Sequence, residues 1–402
     1  MEVYKKPSYN KHLVMNKRIV YLSKAIFPSE TTHTLSIIKM CQAFSDEGHQ
    51  VNLIGRSFNN DSQNIFEYYG LHGGFQIHTR QSRKNKSKIP LTGLFESIKG
   101  GITARKLIVK LKPDLIYSRL TLLELFFVPE NIPIVYEMHS LGPLGKNIFQ
   151  KFLFKRLVRR KNFLAIVVTT DMLSKMLQER LPTQRLIIAR LSAEEPITFN
   201  NEDKPTFFKN NFAGKRYNKH VGYTGYLDTI GLRGTEILCQ AASQIPDVAF
   251  HIVGGNSETV AYWKSYAEAW NQNSNIFFYG HKPANEIPYY LGLFDIALAP
   301  LQLRPSPRAP YGLGLSPLKI PQYMAYEKSI VASDIPAHRE MLRHEETALL
   351  VPPDDVEAWA KAIRRLIKDS NLRDKLAQNA SKEYALNYSP ATRVKTILAG
   401  LE

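Results

Sequence analysis

The sequence predicts an α/β protein built from two Rossmann-like, doubly wound domains. The chain has 402 residues, about twice the length of a common domain. Hydrophobic residues make up 44% and charged residues 22% of it, a globular composition that excludes a wholly disordered or fibrous chain. Short apolar runs alternate with longer helical patterns, and this series occurs twice along the chain. Such alternation is typical of parallel sheets covered by helices.

The individual elements follow from these runs. Strands of the first series are predicted at 18–23, 50–55, 114–119, 133–138 and 164–170, and those of the second at 219–225, 249–255, 275–280, 295–300 and 329–334. A helix is predicted over 33–48, where Gly48 is a natural stop signal. Residues 190–217 are polar and contain Pro and Gly. We therefore assign a flexible tail (1–16), an N-terminal domain (17–195), a linker (196–217), a C-terminal domain (218–385), and a final helix that returns to the N-terminal domain (386–402).

The charge of the chain is concentrated in its first half. The formal net charge is +17; residues 1–200 hold 30 basic and 15 acidic residues, whereas residues 201–402 hold 23 and 21. This excess predicts an anionic partner such as a membrane surface, a nucleic acid or a phosphorylated acceptor. No zinc-finger spacing or aromatic RNA-binding motif is found, so nucleic acid is not expected as a partner. Only two cysteines occur and no apolar stretch reaches about 18 residues, which predicts a cytoplasmic protein without a membrane-spanning segment.

Residues 146–161 form a basic segment with helical spacing of apolar residues. Ile148, Phe149, Phe152, Leu153 and Leu157 recur along it. Two interpretations are open: contact with an anionic membrane surface, or a helix that packs on the core and keeps a solvated charged face. The membrane interpretation assigns contact with the lipid surface to Lys151, Lys155, Arg156, Arg159 and Arg160.

The most specific segment spans residues 312–334, GLGLSPLKIPQYMAYEKSIVASD. A Gly-rich turn precedes Ser316 and Pro317, which suit the N-cap and first position of a helix. Lys319 then falls in the first turn, where a cation opposes the helix dipole unless an anion binds there. A phosphate site and an ordinary surface lysine near a helix cap are both compatible with these residues.

This segment resembles the donor-binding signature of the retaining glycosyltransferases of family four, which have the GT-B fold. The matching letters are SPLKIPQYMA followed by EKSIVASD. Five further elements occur in the same order as in that family: AFSDEGHQVNLI, VYEMHS, VGYTGYLDTIGLRGTEIL, FHIVGGN and LLVPPDDVEAWAKAIRRLIKD. The resemblance covers roughly residues 17–395. It implies two Rossmann-like domains facing a central cleft, with the acceptor on the N-terminal and the nucleotide-sugar on the C-terminal domain.

The resemblance also implies roles for particular residues. His139, Lys319 and Arg233 become the catalytic candidates, with Lys319 and Arg233 on the donor diphosphate. Thr31, Thr32 and His33 form the loop expected to touch donor phosphate or acceptor. Donor contacts are expected from a larger set, namely Gly312, Gly314, Leu315, Ser316, Pro317, Gln322, Gly254, Gly255, His281 and Tyr226. A lone His at a strand end is also compatible with a purely structural role for His139.

The implied activity is a retaining, metal-independent hexosyl transfer from a nucleotide-sugar to a saccharide or lipid-linked acceptor. No cofactor is expected, since the nucleotide-sugar is a substrate, and no Asp-x-Asp metal motif is present. The resemblance further suggests polysaccharide or lipopolysaccharide biosynthesis by a peripheral protein on the inner face of the membrane. Departures from the family pattern favour an alternative, a non-catalytic GT-B protein that binds nucleotide or an anionic partner. Gln322 and Gly314 stand where the family often has two Glu residues, and Tyr226 stands where many members have Arg. Pro321 predicts a kink or a late start of its helix.

Overall fold

The computed structural model describes residues 16–29, 31–57, 64–81, 90–119, 121–145, 147–197, 212–270, 274–283, 285–303 and 318–402. They form two compact units. One holds the described residues up to Glu137 together with Gly142–Ile166, and the other holds Met138–Leu141 and Val167–Glu402. The predicted tail, most of the predicted linker and the Gly-rich turn before Lys319 lie outside the described residues.

The first sheet has seven strands in the order β3-β2-β1-β4-β5-β6-β7. Its pairs β1–β2, β2–β3, β1–β4 and β4–β5 are parallel. The strands are β1 (Arg18–Ile26), β2 (Gln50–Ser57), β3 (Gln76–Gln81), β4 (Leu115–Arg119), β5 (Ile134–Met138), β6 (Phe163–Val168) and β7 (Leu186–Ile188). The accompanying helices are α1 (Thr32–Asp46), α2 (Asn64–Tyr69), α3 (Pro90–Leu111), α4 (Ile148–Leu157) and α5 (Asp171–Gln178). This order reverses between β1 and β4, as in doubly wound sheets that bind ligands at their carboxyl edge.

The second sheet has six strands, all parallel, in the order β10-β9-β8-β11-β12-β13. They are β8 (His220–Thr224), β9 (Ala249–Val253), β10 (Ile276–Gly280), β11 (Ile296–Ala299), β12 (Ser329–Ser333) and β13 (Leu349–Val351). The helices are α6 (Thr235–Gln244), α7 (Ser257–Trp270), α8 (Ile287–Leu293), α9 (Lys319–Ala325), α10 (Pro336–Arg339), α11 (Val356–Lys368), α12 (Ser370–Asn387) and α13 (Pro390–Ala399). The predicted α/β class with two doubly wound sheets is confirmed.

Both faces of the second sheet are covered at its central strand β11, whose sequence IALA is wholly apolar. Leu298 of β11 packs in a cluster with Trp263 of α7 and Trp359 of α11. Its neighbour Ala297 packs in a different cluster with Tyr323 of α9. Because successive side chains of a strand point to opposite faces, β11 needs apolar residues at successive positions to fill both clusters.

All ten predicted strands are present, and three short or marginal strands were missed. These are β3, β7 and β13. The predicted late start at Pro321 is also found: α9 begins at Lys319, so the proline is its third residue. There its missing N–H group has no intrahelical partner to lose. The last helix, α13, packs against β7, and Arg393 donates a 2.9 Å hydrogen bond to the Ala189 carbonyl oxygen just after that strand.

Candidate functional site

Three glycines meet at the carboxyl ends of β8, β9 and β10. The Gly225 N–H donates to the Val253 carbonyl at 2.9 Å, and the Gly254 N–H donates to the Gly280 carbonyl at 2.8 Å. Gly254 has a φ of 130°, and a Cβ atom there would lie 1.8 Å from the Gly225 carbonyl oxygen. Only glycine fits this position. The strand ends therefore pack backbone against backbone and leave an edge that has few side chains.

Lys319 begins α9 and reaches this glycine edge. Its Nζ lies 3.6 Å from the centroid of the Tyr223 ring, and a Cβ atom at Gly225 would lie 3.2 Å from that nitrogen. Burial and, second, the Arg233 guanidinium lower the pKa of Lys319 well below its usual range. No carboxylate of the described residues forms an ion pair with it. A bound phosphate would supply the missing counter-charge.

Arg233 lies in the loop between β8 and α6, close to Lys319. Its Nε is 3.8 Å from Asp228 Oδ2 and has no hydrogen-bond partner among the described residues. The guanidinium carbon lies 5.9 Å from the centroid of the Tyr226 ring, and that ring is 68% exposed. Gly234, in the left-handed conformation with φ 70°, ends the loop. Asp228 thus lies beside Arg233, while Lys319 has no carboxylate partner among the described residues, so the site is positively charged.

The remaining described donor candidates lie on the same unit. Gly255 follows Gly254 with a φ of 84°, and His281 follows β10 directly and is exposed. Gln322 is partly buried and lies one turn after Lys319, on the same face of α9. The structure thus brings together Lys319, Arg233, Tyr226 and the glycine edge. The predicted Gly312, Gly314, Leu315, Ser316 and Pro317 lie outside the described residues.

The candidates that precede the second sheet also lie at strand ends. His139 directly follows β5, is partly buried, and belongs to the unit that holds Lys319. Thr31 precedes α1, and its Oγ1 lies 2.7 Å from Thr34 Oγ1 and 3.3 Å from His33 Nε2. The backbone of Thr32 opens α1, while its side chain lies outside what the structure describes.

Helix α4 carries the basic segment and exposes apolar side chains. Ile148, Phe149 and Phe152 are 82%, 55% and 61% exposed, whereas Phe154 and Leu157 are buried. The apolar spacing is therefore compatible with both interpretations. One face of α4 is buried, and described residues leave another face uncovered. Exposed cations lie beside the uncovered residues: Lys151, Lys155, Arg156 and Arg159.

Arg160 was wrongly grouped with the membrane-contact cations. Its guanidinium donates to the Leu125 carbonyl at 3.0 Å and to the Val128 carbonyl at 2.8 Å. Both carbonyls belong to the segment between β4 and β5. The Arg160 side chain is partly buried. Its two hydrogen bonds direct it into the protein and hold this segment in place.

The sequence reasoning missed His338, which lies in α10 just after β12. Its Nδ1 donates to the Ser333 carbonyl at 2.8 Å, so Nε2 carries the lone pair. Nε2 is buried and has no partner among the described residues. Burial is the main reason that the pKa of His338 falls to about 4; the Ser333 hydrogen bond opposes the shift and the nearby Lys319 adds to it. The position of His338 after a predicted strand was the available signal.

The described residues contain neither a metal-binding cluster nor a membrane-spanning helix. No group of three or more His, Cys, Asp or Glu side chains in the described ranges is arranged to hold a metal ion. No helix in the described part of the chain is long and apolar enough to cross a membrane.

Comparison with known proteins finds a family match within the second unit. Residues 208–383 match the family described as Glycosyl transferases group 1. EpsD of Bacillus subtilis (strain 168), named as a glycosyltransferase, is 29% identical over 152 residues, which are 38% of this chain and 36% of that protein. The match therefore spans only about a third of this curated relative.

Solved structures share the fold over nearly the whole chain. A glycosyltransferase from Rickettsia africae ESF-5 has a TM-score of 0.73 at 16% identity, covering 96% of this chain and 98% of that one. Anabaena HepE in complex with UDP and glucose has a TM-score of 0.67 at 18% identity, covering 96% and 99%. These similarities show that the chain has the GT-B fold.

Proposed function

We propose that the chain is a retaining, metal-independent glycosyltransferase, because residues 208–383 match the glycosyl transferases group 1 family. It moves a hexosyl group from a nucleotide-sugar to a saccharide or lipid-linked acceptor. The HepE structure that shares the fold contains UDP and glucose, which supports a uridine nucleotide-sugar as the first donor to test.

One observation carries the proposal: Lys319 and Arg233 converge on a glycine-lined strand edge, and among the described residues only Arg233 has a carboxylate, Asp228, beside it. A diphosphate matches this arrangement because it brings two negative charges and needs close backbone approach. During transfer the bond from the sugar anomeric carbon to the diphosphate oxygen breaks, and charge accumulates on that oxygen. Cations fixed beforehand at this position stabilise the departing nucleotide.

The remaining steps follow from the proposed retention of configuration. The acceptor hydroxyl attacks the anomeric carbon from the face that the diphosphate leaves, forming the new carbon–oxygen bond. The departing phosphate oxygen takes the hydroxyl proton, so no protein side chain is needed as a nucleophile. His139 is assigned to the sugar, where a partly buried imidazole can donate a hydrogen bond to a hydroxyl.

The test begins with nucleotide binding. Thermal unfolding is measured with UDP, GDP, ADP and their common sugar conjugates, because a ligand at 100 times its Kd adds about 2.7 kcal/mol of stability. The nucleotide-sugar that responds is then used in a transfer assay. Arg233→Ala should weaken the response, while Lys361→Ala, an exposed lysine of α11, serves as the matched control. Loss of response in both variants alike, or in neither, contradicts the proposed diphosphate site.

A second candidate function is a GT-B protein that binds nucleotide without transferring sugar. Gln322 favours it, because this amide lies on the Lys319 face of α9 and cannot act as a carboxylate acceptor. This candidate predicts a nucleotide response without release of nucleotide from the sugar conjugate, even when lipid and acceptor are supplied. Gln322→Glu tests the position itself: a gain in donor affinity supports a contact between this residue and the ribose.

We also place the enzyme on an anionic membrane surface, in surface polysaccharide or lipopolysaccharide assembly. The support is the outward face of α4, where Ile148, Phe149 and Phe152 lie beside Lys151 and Lys155. Apolar side chains that enter the headgroup region and lysines that approach anionic lipids contribute together, at about 1 kcal/mol per cation. A lipid-linked acceptor would then be presented at the same surface.

A further inference from the structure

A second group of cations lies at the carboxyl edge of the first sheet. Each of the strands β1, β2, β3 and β4 contributes one cation at or near its carboxyl end: Lys24, Arg56, Arg80 and Arg119, respectively. The strand register places Arg119 opposite Ser23, which precedes Lys24, and places Arg56 opposite Arg80. Arg56 Nε also donates to the Lys24 carbonyl at 2.8 Å. We refer to these four residues as the strand-end cations.

Glu124 supplies the buried negative charge beside the strand-end cations, and its two oxygens are already engaged. Arg80 donates to one carboxylate oxygen, and the Thr121 hydroxyl donates to the other at 2.8 Å. Glu124 is 1% exposed. The exposed Glu96 of α3 also acts on Arg56. Even with both carboxylates counted, the four cations are not neutralised.

Arg119 carries the unsatisfied charge. Its side chain is only 9% exposed, and Nη1 has no hydrogen-bond partner among the described residues. A buried guanidinium N–H without an acceptor is costly, and such groups are rare in folded proteins. Other arginines of this unit are engaged: Arg160 on two carbonyls and Arg18 on Asp114. Arg80 and Arg160 also have a buried Nε without a partner, but each donates through another nitrogen, whereas no described residue accepts a hydrogen bond from Arg119.

His33 connects this group with the loop predicted to meet phosphate or acceptor. It is the second residue of α1, and its Nε2 lies 3.3 Å from Thr31 Oγ1. Burial and, second, the Arg119 guanidinium lower the pKa of His33. The imidazole is therefore close to Arg119 and uncharged at neutral pH. It can offer a hydrogen bond to a ligand that Arg119 holds.

We propose that Arg119, with His33 beside it and Lys24 one residue beyond its strand partner Ser23, binds an anionic phosphate or carboxylate group of the acceptor. The assignment to the acceptor rests on the proposed glycosyltransferase function, whereas the anion site itself rests on the geometry of the first unit. Two negative oxygens would fill the open Nη1 position and balance the excess charge. The acceptor class is therefore a phosphorylated or uronate-bearing saccharide or lipid, and a neutral sugar does not fit.

The test uses the full chain and small probe anions. Inorganic phosphate, glucuronate and neutral glucose are titrated calorimetrically at constant ionic strength into five proteins: wild type, Arg119→Gln, Lys24→Gln, Lys319→Ala and Lys106→Gln. Phosphate or glucuronate should bind saturably to wild type, and whichever binds tighter identifies the source of the anion. Arg119→Gln and Lys24→Gln should weaken binding about tenfold or more, the loss of one charge-assisted hydrogen bond. Lys106→Gln removes an exposed cation of α3 in the same unit and should change nothing.

The donor-site variant separates this inference from the proposed function. If anion binding survives Lys319→Ala but sugar transfer is never observed, the anion site stands and the activity fails. If Lys319→Ala alone abolishes binding, the probe binds at the donor site and the inference is overturned. Equal effects in Lys106→Gln, or no saturable binding to wild type, also overturn it. If Arg119→Gln does not fold, Arg119→Lys and Lys24→Gln replace it in the test. Arg119→Lys retains the positive charge but loses the planar guanidinium fork.

Discussion

Replacing Lys319 by methionine should weaken nucleotide binding and at the same time stabilise the unliganded protein. Lys319 lies above the Tyr223 ring at 3.6 Å with no carboxylate partner in the described part of the chain. Its lowered pKa shows that the protein disfavours the charged form. Methionine has a similar length and no charge, so it keeps the contact with the ring and removes the unfavourable burial.

The two effects have estimable sizes. A hydrogen bond from a charged donor contributes about 1.5–3 kcal/mol. At about 1.4 kcal/mol per tenfold, losing it weakens nucleotide affinity roughly 10- to 150-fold. A buried polar group without a partner costs about 1–3 kcal/mol, and the contact with the aromatic ring returns about 0.5–2 kcal/mol. The unliganded variant should therefore gain roughly 1 kcal/mol in the free energy of unfolding.

Urea unfolding with and without the responding nucleotide measures both quantities in one experiment. Lys361→Met, at an exposed position of α11, is the control and should change neither the midpoint nor its shift on nucleotide binding. The reasoning is refuted if Lys319→Met is less stable than wild type while its nucleotide-induced shift is unchanged. That result would identify Lys319 as a structural residue.

Three further outcomes are expected. Between pH 6.5 and pH 4 stability should fall as pH falls, because burial lowers the pKa of His251 to about 3 and that of His338 to about 4. The unfolded state then binds protons that the folded state does not, which lowers the free energy of unfolding by about 3 kcal/mol per histidine across this window. His251→Gln should flatten the dependence of this free energy on pH, measured by urea unfolding, and an unchanged slope contradicts the assignment. His139→Ala should lower the rate of sugar transfer and leave the nucleotide-induced stabilisation intact; a wild-type rate removes His139 from the site. Phe149→Ser with Phe152→Ser should reduce sedimentation with anionic vesicles, relative to the unchanged chain, without altering nucleotide binding; undiminished sedimentation excludes the exposed face of α4 as the lipid contact.

The sequence was sufficient for the strands that are buried on both faces. The runs that became β4, β5 and β11 are buried at every position and consist mostly of apolar residues. β3 was missed because it is only partly buried along its length and mixes His, Thr, Arg and Gln with a single Ile. β7 and β13 have three residues each and are too short to form a distinctive pattern. Each of these three strands lies at the edge of its sheet, where one neighbour is absent and selection for apolar residues is weaker.

The site was predictable where backbone conformation dictates the residue, and not where side-chain surroundings do. Gly254 could be found because only glycine permits its φ of 130° and its approach to the Gly225 carbonyl oxygen. Arg119 and His338 could not, because the same letters at a strand end occur in many paired and solvated arrangements. Their distinguishing property is an unsatisfied buried nitrogen. That property depends on residues distant in sequence, which spacing does not encode.

The two unpaired cations differ from charged side chains that find partners elsewhere in the described residues. Arg343 contacts both Glu346 and Glu383, although exposed pairs of this kind contribute only about 0–1 kcal/mol each. Lys319 is partly buried and Arg119 is 9% exposed, and neither has a carboxylate partner among the described residues. A single acidic substitution beside either would relieve the cost of burial. It would also fill the position that an incoming diphosphate or acceptor anion needs. The two cations thus mark places where stability is lower than the fold allows, and ligand binding is the process that recovers it.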